Sequence, residues 1–245
     1  MGRFTQQDPA CDGFNWYVYC SNNPVNLIDP FGLASYVFYI GEFEDETADI
    51  KQELVNAGES LENIHVIQVN SKAEFDEAWN NMGTVTDEDG NTHQEEINNV
   101  VIDMHGNEDL IGGDGIKIYA TNIEDLDKKK LNGNLVLLPC NVGHLDYSNS
   151  NPANSFAKKV SGALVIAADG TVYPDNPSKK FPNGNFISKN DKFFRDIIEK
   201  SGNPDIERDN AGWVVYRDHG SFVSTRPTGC PSKKLTVSGA LQLNY

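Results

Sequence analysis

Two residues in this chain carry side chains suited to covalent catalysis in surroundings that support it: His105, followed by Gly106, and Cys140, 35 residues further along. A cysteine becomes a nucleophile when a nearby imidazole lowers its pKa, and that imidazole then protonates a leaving amine; the two need not be close in sequence. Gly106 adds to the pattern, because a residue without a side chain lets the backbone turn tightly and brings an N–H close to a substrate carbonyl. With the N–H of Cys140 it would form an oxyanion hole. The competing structural roles are a core histidine satisfied by a carbonyl and a buried cysteine acting as a small apolar residue.

Both residues end apolar runs of strand length. Residues 36–40, 64–69, 100–104, 135–138 and 164–168 read as five parallel strands alternating with helical segments, the pattern of βαβ units. The third run ends on His105-Gly106 and the fourth on Pro139-Cys140-Asn141, and in open α/β sheets reactive groups collect at the carboxyl ends of the strands. Thirty-five residues also suffice for a helical crossover between adjacent parallel strands.

The helical segments follow from spacing. Ile50, Leu54 and Ala57 share a face that Gly58 ends, and after Ser71 the residues Phe75, Ala78, Trp79 and Met82 form a buried stripe. Thr121 and Glu124 have capping-box spacing for a short helix with Ile123 and Leu126 inward, and Asn151-Pro152 supplies a cap and first-turn proline for a helix with Phe156, Ala157 and Val160 on one side. A further helix is expected over 191–200, with Phe193, Phe194, Ile197 and Ile198 apolar and Gly202 as its stop. Residues 83–98 are polar and acidic with an Asp-Gly turn, which predicts a surface excursion. Runs at 213–216, 221–224 and 235–243 read as short strands pairing antiparallel at one sheet edge.

The motifs VVIDMHGN (100–107) and NLVLLPCNVG (134–143) resemble the paired motifs of caspase-like, clan CD cysteine peptidases, particularly the bacterial CHAT and MARTX self-processing groups. NSFAKKVSGALVIAADGTVYP (154–174) is similar to the helix and strand that close the substrate cleft there. The likeness spans most of residues 36–217, with only the two short motifs specific. It implies an α/β, caspase-like three-layer sandwich with a mainly parallel sheet, and a cysteine endopeptidase in which Cys140 attacks a peptide carbonyl and His105 protonates the leaving amine. No third catalytic member is obligatory in that clan. The resemblance also places Asp169 near the wall of the specificity pocket, where an acid would favour a basic side chain before the scissile bond; Asp169-Gly170 reads equally as an ordinary turn. No metal or cofactor is implied. The MARTX group takes inositol hexakisphosphate on a basic surface, a dependence that the acidity of this chain argues against.

His144, four residues past Cys140, reads as a loop histidine rather than an alternative base, and His65, His93 and His219 carry no motif. Cys11, Cys20 and Cys230 show neither metal-ligand spacing nor the density of a disulfide scaffold. The three-lysine run at 128–130 reads as a solvated helix face.

Residues 1–33 differ in texture, with Asp-Pro and Asn-Pro turns around the aromatic run FNWYVY. One or two strands cannot bury enough surface to fold alone, so this piece is expected to belong to a larger sheet. GRFTQQDP (2–9) and NWYVYCSNNPVNLIDPFGL (15–33) resemble the end of the core of Rhs and YD-repeat proteins, a large β shell around a variable C-terminal toxin. The resemblance divides the chain into 1–33, the end of an Rhs core, and 34–245, the cargo, with cleavage between Leu33 and Ala34. It maps the aspartates of an aspartyl-protease-like autocleavage site onto Asp8 and Asp29. Close carboxylates cannot both ionise, which leaves one acid and one base; from local sequence alone, both also read as turn caps before proline. Met1 stands immediately before GRF, without the Arg- and Asp-bearing segment usual upstream, so this fragment is expected not to cut itself.

The 245 residues carry 20 Lys plus Arg against 36 Asp plus Glu, a formal charge of −16, which disfavours binding to nucleic acid. Hydrophobic residues make up 38% of the chain, sufficient for a core, with no run of the ~20 residues that spans a membrane and none of signal-peptide type at the start. The expected protein is an effector released from its Rhs shell and delivered to a target-cell cytoplasm, where reducing conditions keep Cys140 a thiol. Its expected partners are a protein substrate, the shell, and a cognate immunity protein with a basic face. The alternatives are an inactive caspase-like binding module and a toxin of another class, such as a nuclease, which would need a basic groove or phosphate loop that the sequence lacks.

Overall fold

The computed structural model describes residues 33–86, 90–113, 115–144, 147–168, 173–174, 185–187, 213–217, 222–224 and 234–243. All belong to the second of two units into which the chain divides, Met1–Gly32 and Leu33–Tyr245. Asp8, Asp29, Asp169, Cys11, Cys20, Cys230, His219 and the helix expected over 191–200 lie outside the described residues, as does the side chain of His93.

In chain order, β1 (Ala34–Tyr39) runs into a 3-10 turn (Gly41–Glu46) and α1 (Thr47–Asn56), followed by β2 (Ile64–Gln68) and α2 (Lys72–Asn81). A hairpin of β3 (Thr84–Thr86) and β4 (Thr92–Gln94) leads into β5 (Ile97–Asp103). Then come β6 (His105–Gly106), β7 (Leu110–Gly113), β8 (Ile116–Tyr119), α3 (Ala120–Ile123), β9 (Lys129–Lys130) and β10 (Leu135–Leu137). The remainder is α4 (Pro152–Ala157), β11 (Val160–Ser161), β12 (Val165–Ala168), β13 (Tyr173–Pro174), β14 (Asn185–Ile187), β15 (Trp213–Tyr216), β16 (Phe222–Ser224), β17 (Lys234–Thr236) and α5 (Val237–Leu241).

A seven-stranded sheet in the order β16-β15-β12-β10-β5-β1-β2 forms the centre. The five strands from β2 to β12 are mutually parallel, as the alternation of apolar runs predicts, and β15 joins β12 antiparallel with β16 outside it. Alternate residues feed two separate cores. Tyr36, Phe38, Val100, Ile102, Leu135 and Leu137 pack on one face with Phe75, Trp79 and Phe156. Val37, Val101, Val136 and Ile166 pack on the other with Ile50 and Leu54 of α1 and Val237, Ala240 and Leu241 of α5. Helices therefore cover both faces, which defines a three-layer α/β sandwich.

Caps expected from sequence are present at two helices. Ser71 Oγ accepts from Glu74 N at 3.1 Å, and Asn151 Oδ1 accepts from Asn154 N at 2.8 Å with Pro152 in the first turn. At α3 the cap differs from the Thr121 and Glu124 expectation: Asn122 Oδ1 accepts from Tyr119 N at 3.1 Å, although Ile123 and Leu126 are buried as expected.

Several elements depart from the sequence reading. The excursion at 83–98 is a hairpin whose base already contributes to the sheet, because β5 begins at Ile97. Between His105 and α3 the chain forms an antiparallel β6-β7-β8 sheet, which Gly112 and Gly113, both at positive φ, allow to turn back on itself. Val160 lies in β11, past the end of α4. Residues 235–243 do not form one edge strand: β17 pairs with β14, and the chain then coils into α5 because Val237, Ala240 and Leu241 bury a helical stripe. In the three-lysine run Lys129 lies in a strand and donates to Asn80 O and Met82 O at 2.7 and 3.0 Å; burial lowers its pKa.

Candidate active site

The sheet order sets where chemistry can collect. From β1 the chain moves outward through α1 to β2, then returns through α2 across the opposite face to β5, since α1 and α2 feed different cores. The crevice between the carboxyl ends of β1 and β5 is therefore the topological switch point, the favoured ligand position in such sheets.

His105 stands at this crevice, two residues beyond the end of β5 and at the start of β6. Its imidazole is exposed, and Nε2 lies 2.7 Å from Glu42 Oε2 in the 3-10 turn after β1. The Phe43 ring meets it edge-on at 4.9 Å between centroids. Gly113 packs close to the ring as well: a Cβ there would lie 3.0 Å from His105 Cδ2 and 2.4 Å from Ile40 Cδ1. Glu42 and Phe43 thus fix the ring from one side and β7 from the other.

Cys140 follows β10, the neighbour of β5, and is half-buried. Ile102 and Leu137 are partners in register, and His105 and Cys140 each lie three residues beyond that pair. Adjacent strands are about 4.8 Å apart, so the two segments leave the same edge of the sheet as neighbours. Contact between the segments is direct: a Cβ on Gly106 would lie 2.5 Å from Pro139 Cβ, 2.8 Å from Val142 Cγ1 and 3.1 Å from Cys140 O. Gly106 is accordingly the only side chain size the Cys140 loop admits. Gly106→Ala is expected to cost about 1–3 kcal/mol by overpacking and to slow alkylation of Cys140, read by thermal melting and by thiol labelling.

The loop after Cys140 is anchored to β12 and β15. Gly143 N donates to Ala168 O at 2.9 Å, and Asn151 Nδ2 donates to His144 O and Tyr216 Oη at 3.0 and 2.8 Å. His144 is indeed a loop histidine, buried and edge-on to Tyr147, so its direction is set by packing. His65 bonds Glu95 at 3.2 Å and stacks on Tyr36 at a distance from the crevice set by its place in β2.

A second acidic feature adjoins His105. Asp103, the buried last residue of β5, meets the carboxyl of Glu46 at the end of the 3-10 turn. Burial pushes the Asp103 carboxyl well above its ordinary range, reinforced by the Glu46 charge, and burial also raises Glu46. The half-buried Glu46 carboxyl against it makes ionising the buried Asp103 still less favourable. The folded state therefore binds more protons than the unfolded chain once pH exceeds the unfolded aspartate value of about 4, and stability falls as pH rises from there through the folded value. Asp103→Asn cannot ionise. It is expected to melt above the wild type at pH 8, with the gap closing towards pH 4, in melting curves taken across that range.

Asp103 had a signal in the sequence, a lone acid inside the apolar run VVIDM. Glu42 and Glu46 had none, since the acidic turn that holds them lies 63 residues before His105 in the Glu42 pair. Among the described residues no group of three or more His, Cys, Asp or Glu is placed to hold a metal ion, and no helix is long and apolar enough to cross a membrane. No protein family profile and no curated protein sequence matches the chain.

Proposed function

We propose that the described unit is a caspase-like cysteine endopeptidase acting through His105 and Cys140, and that it is the toxin cargo of an Rhs shell, released by cleavage between Leu33 and Ala34 and active in the cytoplasm of a target cell. The observation that carries the peptidase reading is the equal offset of His105 and Cys140 beyond the registered pair Ile102 and Leu137, with Gly106 pressed against the Cys140 loop. The mechanism follows. Cys140 Sγ attacks the substrate carbonyl carbon, the N–H groups of Gly106 and Cys140 receive the developing oxyanion, and the C–N bond breaks as His105 gives its proton to the leaving amine. Water then attacks the thioester, passing a proton back to His105 and freeing Cys140. With Nε2 held by Glu42, Nδ1 is the nitrogen that exchanges these protons.

The shell, a protein substrate and an immunity protein are the partners this reading requires. Specificity for a basic residue through Asp169 is part of the same proposal. An inactive caspase-like binding module would keep the fold without a primed thiol. Alkylation by iodoacetamide separates the two: fast labelling of Cys140 at neutral pH that His105→Ala slows by roughly tenfold or more supports the dyad, and equal, slow labelling of both proteins removes it.

A further inference from the structure

The loop after Cys140 holds a conformation that local chemistry does not favour. Asn141 has φ of 58°, the only positive value among described residues other than glycine, and a residue with a side chain keeps that conformation where its surroundings over-determine it. The loop closes on itself through His144 N, which donates to Asn141 O at 3.0 Å. From outside, Ala153 N donates to Val142 O at 3.1 Å, and Gly143 N donates to Ala168 O at 2.9 Å. The two remaining carbonyls lead to Asn151. Its Nδ2 donates to His144 O at 3.0 Å and to Tyr216 Oη at 2.8 Å, and that hydroxyl donates in turn to Gly143 O at 3.4 Å. Both protons of one amide thus end, directly or through Tyr216, on the Cys140 loop.

Asn151 is itself immobilised. It is fully buried, its N donates to Tyr147 O at 2.8 Å, and its Oδ1 caps α4 by accepting from Asn154 N at 2.8 Å. A cap needs only an oxygen, which serine or aspartate supplies as well. What asparagine adds is the pair of donors, and these serve the loop rather than the helix. We propose that Asn151 is a positioning residue for Cys140, its two amide donors keeping the loop in the conformation in which His105 activates the thiol; the proposal rests on the peptidase reading.

The test is a mutant cycle on the full chain: wild type, Asn151→Ser, His105→Ala and both changes together, with iodoacetamide labelling of Cys140 and thermal melting measured for each. Serine keeps a capping oxygen and lacks the amide donors. Ile50→Val, in the core on the α1 face, shows what a loss of melting temperature alone does to labelling. The expected result is labelling slowed about fivefold in Asn151→Ser, the effect of one or two buried hydrogen bonds, with Ile50→Val at the wild-type rate. The double variant is expected to label no slower than His105→Ala, because a misplaced thiol has already lost its imidazole. Should Asn151→Ser fail to fold, Tyr216→Phe runs the same cycle, since it keeps the cap and the ring and cuts the arm to Gly143. A wild-type rate in the Asn151 variant, or in Tyr216→Phe where that replaces it, overturns the proposal and leaves the peptidase reading standing. Effects of the two changes that multiply overturn it too, as does equal slowing in Ile50→Val, because the amide then acts on the fold and not on the dyad. Labelling that His105→Ala leaves unchanged defeats the peptidase reading and the proposal together.

Discussion

Cys140→Ala is expected to abolish toxicity when the chain is produced in the cytoplasm of a susceptible host, while the wild type arrests growth. Every covalent step of the proposed reaction passes through Sγ, and removing a nucleophile of this kind costs roughly 10³-fold or more in rate. The change is small for the fold. Cys140 is half-buried in a turn already held by the Gly143 and Asn151 hydrogen bonds, so the variant should accumulate to wild-type levels. Growth curves at matched expression make the comparison. If only the wild type is toxic, the new protein N-termini in the host identify the substrates. Equal toxicity of the two removes the peptidase account and returns weight to another enzymatic class.

Trp79→Ala carries the largest expected effect on stability. Trp79 is wholly buried, lies 5.2 Å from the Phe156 ring and 6.3 Å from the Phe38 ring between centroids, and donates from Nε1 to Asp127 O at 2.9 Å. It thereby ties α2 to α4, to the central strand β1 and to the loop before β9. Truncating such a residue leaves a cavity and an unpaired carbonyl, at a cost of about 3–5 kcal/mol, a large fraction of the roughly 5–15 kcal/mol by which domains are stable. Thermal unfolding should fall by roughly 10 °C. Trp79→Phe retains most of the packing and should lose much less; a similar loss in both would assign the effect to the indole hydrogen bond.

The two motifs differ in what local sequence revealed of them. Strands β5 and β10 were legible because Val100, Val101 and Ile102, and Leu135, Val136 and Leu137, are apolar on both faces, the mark of a parallel strand covered by helices. That pattern also set the carboxyl ends from which His105 and Cys140 emerge. The β6-β7-β8 sheet was not legible, since its strands are two to four residues long and their pairing depends on the positive φ of Gly112 and Gly113, which no local period marks. The switch of residues 237–241 to helix was hidden for a related reason: a short apolar run suits either period until the packing partner, here the α1 face of the sheet, is known.

By itself the chain of residues determined the alternation of strands and helices, the parallel sheet and the strand ends that His105 and Cys140 follow, because burial on one or both faces writes a local period of two or 3.6 into the sequence. Only the tertiary structure decided that Glu42 meets His105, that Asp103 meets Glu46, and that Gly106 is pressed against the Cys140 loop. Those contacts join segments far apart along the chain. No local propensity favours them, and they exist because sheet order brings the ends of β1, β5 and β10 to one edge of the sheet as successive neighbours.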